Sequence, residues 1–309
     1  MSIPRLFRSL AFPFPSSLRR AFRLLHSTYI HPFVGSMNLT ARPWKLDAMQ
    51  AGSSLRVIML TLLKMEHLQR LAFDFPCPAE LYEYIRDSKN LKQLLWTTIT
   101  SKPNRAGRPR CRLEAIEFAN VRKKCYVPTG LIIESASTLK SLSVHSSWYI
   151  YTLWAYARTV PFSNLTSFTF SSIDEDIAPH ALQDIIEACP SITALHLCTP
   201  LEYAFTISPD ALSKLNTFNA GPNAFLLRFL EGRPVRRLFA KPVNHFSLPS
   251  ERRSLQNCSF SLLHVEISYS YAEEFFNDVN RALIYCEDLA LTVWIDARTV
   301  RLSLSRYLI

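Results

Sequence analysis

An apolar residue at some position i, another at i+3 and a third at i+5: this cadence recurs ten times along the chain. The triplets are Leu68–Leu71–Phe73, Leu91–Leu94–Trp96, Leu113–Ile116–Phe118, Leu139–Leu142–Val144, Leu165–Phe168–Phe170, Ile192–Leu195–Leu197, Leu215–Phe218–Ala220, Val235–Leu238–Ala240, Leu262–Val265–Ile267 and Cys286–Leu289–Leu291. Their starts lie 20 to 27 residues apart. In a chain that is 48% hydrophobic one such triplet means nothing, but ten at nearly even intervals demand a structural cause. The i+3 and i+5 side chains leave a short strand on one face, because strand side chains alternate with a period of two. So short a strand cannot bury that face alone; copies stacked side by side can.

Parallel neighbours need a crossover of about a dozen residues or more, usually helical. The segments between triplets fit. In 180–190, "HALQDIIEACP", Leu182, Ile185 and Ile186 share one helical face and Pro190 stops the helix. "AELYEYI" presents Leu81, Tyr82 and Ile85 in the same way, and "EEFFNDVNRALIY" presents Phe275, Phe276, Val279 and Leu283. "SPDALSKL" opens with helix-start chemistry at Pro209 and Asp210. The competing reading is an ordinary α/β domain whose strand–helix units happen to be of similar length.

The stretch from Leu182 to Leu197, with Cys189-Pro190 closing a helix and Ile192-x-x-Leu195-x-Leu197 following, resembles one unit of the leucine-rich repeats of F-box proteins, in the divergent, Ser- and aromatic-rich style of the large fungal sets. The resemblance covers about residues 50–296. It implies an α/β leucine-rich-repeat solenoid, a horseshoe with a parallel concave sheet and helices on the convex side. It also implies a substrate-recognition role in an F-box-type ubiquitin ligase, with ligase core subunits and a substrate protein as partners. The three-helix F-box, which usually opens with Leu-Pro, has no counterpart here: Leu248-Pro249 falls among the repeats.

Charge is unevenly spread. Residues 1–46 contain seven Arg and Lys and no Asp or Glu, and residues 102–124 carry a net +6 of the chain's +10. The first segment has the Arg-rich, acid-free character of a mitochondrial presequence, and in "SSLRRAFRLLHS" Leu18, Ala21, Phe22 and Leu25 share one helical face. A disordered basic tail reads the same way. The domain division expected is thus a poorly ordered basic extension, 1–46, and a repeat array of about ten units, 47–309. "SKPNRAGRPRCR", 101–112, reads as a solvated loop. Its arginines offer phosphate contacts, but no nucleic-acid module or interleaved aromatics accompany them, so nucleic acid is disfavoured as a partner.

The seven cysteines form no C-x-x-C pair, which disfavours zinc and fits free thiols in a reducing compartment. Three glycosylation sequons, at Asn38, Asn164 and Asn257, are matched by chance. The most apolar run, "SSWYIYTLWAYA" at 146–157, is too short to cross a bilayer, which needs about 20 residues. It reads as a bulky helix between repeats, or as aromatics turned outward toward a partner. No transmembrane segment is expected. The cytoplasm or nucleus is the expected location, with a mitochondrial repeat assembly factor as the alternative. The apolar end, "RYLI", reads as a fragment boundary or a contact surface.

Motifs for nucleophilic catalysis, zinc hydrolysis and phosphate cradling are missing, and Asp174-Glu175-Asp176 reads as helix capping. A non-enzyme without cofactor or metal is expected, with an α/β enzyme of unknown chemistry as the second alternative. A partner would meet the strand residues that point away from the core, at i+2, i+4 and i+6. These include Ser143, His145, Thr169, His196, Asn219, Arg237, Phe239, Lys241, His264 and Glu266. The middle row is expected to run Ser143, Thr169, His196, Asn219, Phe239, Glu266. Phe239 between Arg237 and Lys241 carries hot-spot chemistry, since aromatic and Arg side chains dominate interface energetics.

Overall fold

A computed structural model describes residues 8–11, 30–39, 60–73, 79–96, 111–118, 129–145, 150–151, 153–155, 162–172, 179–198, 207–208, 210–221, 230, 232–243, 260–268, 286–295 and 298–305. The chain divides into two compact units, Met1–His145 and Ser146–Ile309. Both are built from strands that neighbour one another in chain order. The class is α/β, with parallel strands that do not close into a barrel and few helices.

The first unit contains β1 (Ser9–Ala11), β2 (Ser36–Leu39), β3 (Arg70–Phe73), β4 (Gln93–Trp96), β5 (Ala115–Phe118) and β6 (Ser141–Val144). Every pairing among them is parallel. The four triplets read from the sequence at β3 to β6 are all buried: Leu68, Leu71 and Phe73 are at most 1% exposed, and the other nine residues at most 2%. At i+5 three aromatic rings stack across strands, with Phe73 and Trp96 centroids 5.2 Å apart and Trp96 and Phe118 6.2 Å apart in an edge-on pair. Such pairs add about 0.5–1.5 kcal/mol beyond area burial. Helix α1 (Ala79–Asp87) buries Leu81, Tyr82 and Ile85 as its periodicity predicts. Helix α2 (Thr129–Ser135) buries Leu131 and Ile132, and its last residue accepts the Leu113 N–H through Ser135 Oγ at 3.0 Å.

Strands begin earlier than the triplets do. β1 and β2 lie inside the segment 1–46 that the sequence sets apart, and β2 pairs with β3 in register, Met37 opposite Leu71. Val34, Met37 and Leu39 occupy i, i+3 and i+5 and are fully buried. They fit the same cadence, set apart from the other triplets by the 34 positions between Ser36 and its partner Arg70.

The second unit contains β7 (Ser167–Ser171), β8 (Ala194–Cys198), β9 (Thr217–Ala220), β10 (Arg237–Val243), β11 (Leu262–Ser268), β12 (Asp288–Ile295) and β13 (Arg298–Ser305). β7 to β12 pair in parallel, whereas β13 runs antiparallel to β12. β13 escapes the cadence because Val300, Leu302 and Leu304 alternate strictly, as suits a hairpin partner. Helix α3 (Pro179–Glu187) buries Leu182, Ile185 and Ile186, followed by buried Cys189. The triplets of β7 to β10 are buried throughout, including Ala220 and Ala240.

Two expectations need correction in this unit. First, the β11 triplet is Phe260–Leu263–Val265, not one starting at Leu262: Leu263 pairs with Leu238 across the ladder, and Phe260 and Leu263 are fully buried while Leu262 is only half-buried. A slip of two residues keeps side-chain parity, so periodicity could not detect it. Second, 210–214 form a turn and not a helix. The backbone closes it with Leu215 N–H donating to Leu212 O, and buried Leu212 sits at φ 61°, the left-handed region that cannot propagate a helix. Arg233 supports the turn by donating to Ala211 O and Ser208 O, each at 3.0 Å.

Of the aromatic run at 146–157, residues 150, 151 and 153–155 are described and helical. Ile150 and Leu153 are buried and Tyr151 is exposed. Trp154 donates from Nε1 to Asp184 Oδ2 at 2.7 Å and meets the His180 ring edge-on. The basic loop 101–110, Asp174 to Asp176, and the 273–285 helix expectation lie outside the described residues.

One recurring bond sets the register. The backbone carbonyl at i+1 accepts two N–H groups, those of i+1 and i+2 of the next strand's segment, at 2.7–3.1 Å. Arg8, Gly35, Gln69, Lys92 and Glu114 do this in the first unit, and Thr166, Thr193, Asn216, Arg236 and Ser261 in the second. Side chains follow the same column: Lys92 and Lys140 grip the two carboxylate oxygens of Glu114 at 3.1 and 2.8 Å, and these hydrogen bonds, Lys140 first, hold its carboxyl below the usual range.

Gly221, just past β9, tests how closely the segments approach. A Cβ there would lie 2.8 Å from Cys198 Cα and 3.0 Å from Leu197 O, both backbone atoms that cannot swing aside. Gly221→Ala is expected to destabilise the chain by about 1–3 kcal/mol through this overpacking. Urea unfolding followed by circular dichroism measures it; a midpoint equal to wild type would contradict the close approach.

Candidate functional site: the uncovered strand faces

In β2 to β10 the residues at i+3 and i+5 are buried, so those at i+2 and i+4 point to the opposite face. In the first unit that face carries a cavity of about 240 Å3. Ala72, Leu95 and Ala115 line it together with Asn38, Arg70, Gln93 and Glu117. Arg70 and Glu117 put opposite charges on one basin. The four polar residues were missed in the sequence, although the offset rule names them once it is applied to Val34, Leu68, Leu91 and Leu113.

Ser143 and His145 belong to this unit. Ser143 Oγ and His145 Nε2 lie 3.0 Å apart, and Glu117 Oε1 is 4.0 Å from the same nitrogen. A catalytic triad needs the carboxylate on one ring nitrogen and the hydroxyl on the other, so that the base is oriented while it takes the proton. Both groups here approach Nε2. The carboxylate therefore does not take the orienting place that it has in a Ser–His–Asp triad.

The other eight sequence-predicted site residues fall in the second unit. The ladder places Thr169 opposite His196, His196 opposite Asn219, Asn219 opposite Phe239 and Phe239 opposite His264. All five are half-buried. His264 therefore takes the middle-row place expected of Glu266, which lies one row further along and pairs with Thr292. Arg237 is exposed, two residues before Phe239 and opposite Thr217 and Leu262. Lys241 lies where β10 gains a residue against β11, between Ala240 and Val243, a bulge that Pro242 accommodates because it has no N–H to offer the ladder. The side chains of Lys241 and Glu266 lie outside the described residues.

The Phe239 and His264 rings meet edge-on with centroids 6.0 Å apart. Asn219 Oδ1 and His264 Nε2 are shielded from solvent and, among the described residues, have no hydrogen-bond partner. Periodicity cannot reveal this, because it depends on three strands meeting in register.

Among the described residues no group of three or more His, Cys, Asp or Glu could hold a metal ion, and no helix is long and apolar enough to cross a membrane. No family model and no curated protein matches the chain.

Cys111 and Cys189 are free and buried. Burial pushes the Cys111 thiol up to about 11 and the Cys189 thiol up to about 12. Only the thiolate attacks electrophiles. Cys111 and Cys189 are therefore expected to resist iodoacetamide at pH 8 in the native chain and to react once urea unfolds it, read by mass spectrometry of peptides. Because the unfolded thiols ionise near 9, their contribution to stability is full below pH 9 and is lost as pH rises from there toward 12. Rapid native labelling at either position would overturn the assignment.

Proposed function

We propose that this chain is a non-catalytic leucine-rich-repeat protein that holds a protein partner against the uncovered face of its parallel strands, as the substrate-recognition part of an F-box-type ubiquitin ligase receptor. One observation carries the reading. Parallel strands are ordinarily covered on both faces; in β2 to β10 the i+3 and i+5 side chains are buried while the i+2 and i+4 side chains of the same strands remain half-buried or exposed. A parallel sheet left open on one side is the arrangement by which repeat solenoids present extended binding surfaces. The small and polar character of the open rows, with Phe239 and Arg237 as the largest anchors, supports protein recognition.

The F-box kinship rests on the resemblance of the Leu182–Leu197 unit. A horseshoe built from both units, a cytoplasmic or nuclear location and ligase partners belong to the same proposal. A removable mitochondrial presequence fits less well, because β1 and β2 are hydrogen-bonded members of the first unit's sheet, and cleavage after residue 46 would strip both.

Affinity purification of the tagged full chain with mass spectrometry tests the proposal. Ligase core subunits and a substrate protein are expected to co-purify. The variant Arg237→Ala, Phe239→Ala, Lys241→Ala is expected to lose the substrate by at least about 30-fold while keeping its circular-dichroism spectrum and its ligase subunits, since hot-spot residues carry about 2 kcal/mol or more each. Substrate capture unchanged in that variant sinks the surface, and recovery of mitochondrial complex subunits instead of ligase subunits sinks the receptor role.

A further inference from the structure

On the open face of the first unit, six residues form a block three strands wide and two outward positions deep. β3 contributes Arg70 and Ala72, β4 Gln93 and Leu95, and β5 Ala115 and Glu117. The ladder sets Arg70, Gln93 and Ala115 in one row and Ala72, Leu95 and Glu117 in the next. All six line the cavity of about 240 Å3, and Arg70 and Glu117 are the charged residues of its lining. They stand at opposite corners of the block, and alanines hold the other two corners. Leu95, on the middle strand, is a half-buried apolar side chain of the outward set.

Both charged side chains are exposed. Among the described residues Arg70 has no ion pair or side-chain hydrogen bond, and Glu117 has only the 4.0 Å approach of His145 Nε2. Ser36 and Gln93 stand opposite Arg70 on the strands to either side and add hydroxyl and amide donors to its guanidinium. Water solvates these groups while the cavity is open. Whatever fills the cavity displaces that water, which is costly unless each charge meets its opposite. A fitting occupant is thus anionic at the Arg70 corner, cationic at the Glu117 corner and apolar between them, over Leu95 and in the room that the alanines leave.

Spacing selects its conformation. Neighbouring strands lie about 4.8 Å apart and alternate residues of a strand about 6.6 Å, so the Arg70 and Glu117 Cα atoms are roughly 12 Å apart. In an extended peptide, residues n and n+4 are about 13 Å apart on one face, with n+2 between them on the same face. A helix sets residues four apart only about 6 Å from each other.

We propose that this block docks an extended segment of the partner protein bearing an acidic, an apolar and a basic residue at alternate positions, its carboxylate on Arg70 and its cation on Glu117. This deepens, and rests on, the recognition role proposed for the open strand face.

The test uses the full chain and a phage-displayed pool of random nine-residue peptides, first depleted on the double variant Arg70→Glu, Glu117→Lys. Selected sequences are expected to share acidic-x-apolar-x-basic spacing, in either chain direction. The tightest is then synthesised and its affinity measured by fluorescence polarisation. Arg70→Glu and Glu117→Lys are each expected to weaken binding about tenfold or more, and reversing the peptide charge that faces the altered corner is expected to restore most of the loss, whereas reversing the other is not. Ala115→Phe, which fills a corner of the cavity, is expected to weaken binding about as much. All three variants are expected to keep the wild-type circular-dichroism spectrum, since each changes an outward position. Selection of no peptide, selection without paired opposite charges, or losses that no matched charge reversal restores overturns the docking site. If those results occur while the triple variant of Arg237, Phe239 and Lys241 still loses its protein partner, this site alone falls; if the triple variant keeps its partner, the recognition face falls with it.

Discussion

The bond on which both units depend is the shared carbonyl at i+1. By accepting the N–H groups of i+1 and i+2 in the next segment, it locks consecutive strands with no stagger, Arg70 opposite Gln93, Gln93 opposite Ala115, and likewise Ala194 opposite Thr217. A single-residue slip would carry every apolar side chain to the wrong face. Because the lock is made by backbone alone, it tolerates any side chain at i+1, and that column accordingly holds Gly35, Gln69, Lys92, Glu114, Thr193 and Arg236 without loss of register. The side chains that vary there still feel their neighbours, as Lys92, Glu114 and Lys140 do, but those exposed ion pairs decorate a register already fixed.

Fixed register turns parity into architecture. One set of positions fills a dry core, with aromatic stacking from Phe73 through Trp96 to Phe118 in the first unit and Phe168, Phe170 and Phe218 fully buried in the second. The alternate set is left facing out, and because the strands are in step its residues form straight rows instead of scattered points. A row is a chemical unit in a way that a single position is not. Thr169, His196, Asn219, Phe239 and His264 come from five strands that span 95 residues of sequence, yet each sits one strand spacing from the next. The polar atoms stranded at Asn219 and His264 are tolerable only because the apolar face supplies stability independently of them.

How much of this the sequence discloses follows from what each feature needs. The core triplets need only local periodicity, and those from Leu68 to Ala240 are buried where periodicity puts them, even the small Ala220 and Ala240. Parity survives a two-residue slip, so periodicity alone puts His264 and Glu266 one row away from their places in the ladder, with Phe260 and not Leu262 opening the triplet. Features that break the period were hidden: the long interval between β2 and β3, the antiparallel β13, and the turn at Leu212, whose left-handed backbone no pattern of polarity announces. The first unit's basin is legible from periodicity, since Arg70 and Glu117 occupy the same offsets as Arg237 and Phe239. Pairing of side chains across strands, such as Ser143 with His145 and Glu117, and above all the lack of pairing at Asn219 Oδ1 and His264 Nε2, requires the three-dimensional neighbours themselves.

Separating fold from recognition by parity predicts that outward positions change freely, and the second unit shows where that freedom stops. Gly221 follows Ala220 and so belongs by parity to the outward set. Its N–H donates to Leu197 O at 2.6 Å, and its Cα is so near the Cys198 backbone that no side chain fits. On the same side of neighbouring β10, the ladder slips between Ala240 and Val243 around Pro242. Past i+4, then, the strands of this unit are held by backbone approach and bulge geometry, not by side-chain choice. Chemical variety is confined to the i+2 and i+4 rows between the carbonyl lock at one end of the strands and this close-packed margin at the other. Phe239 stands in that band, with Arg237 on one side of it along the strand and the bulge on the other.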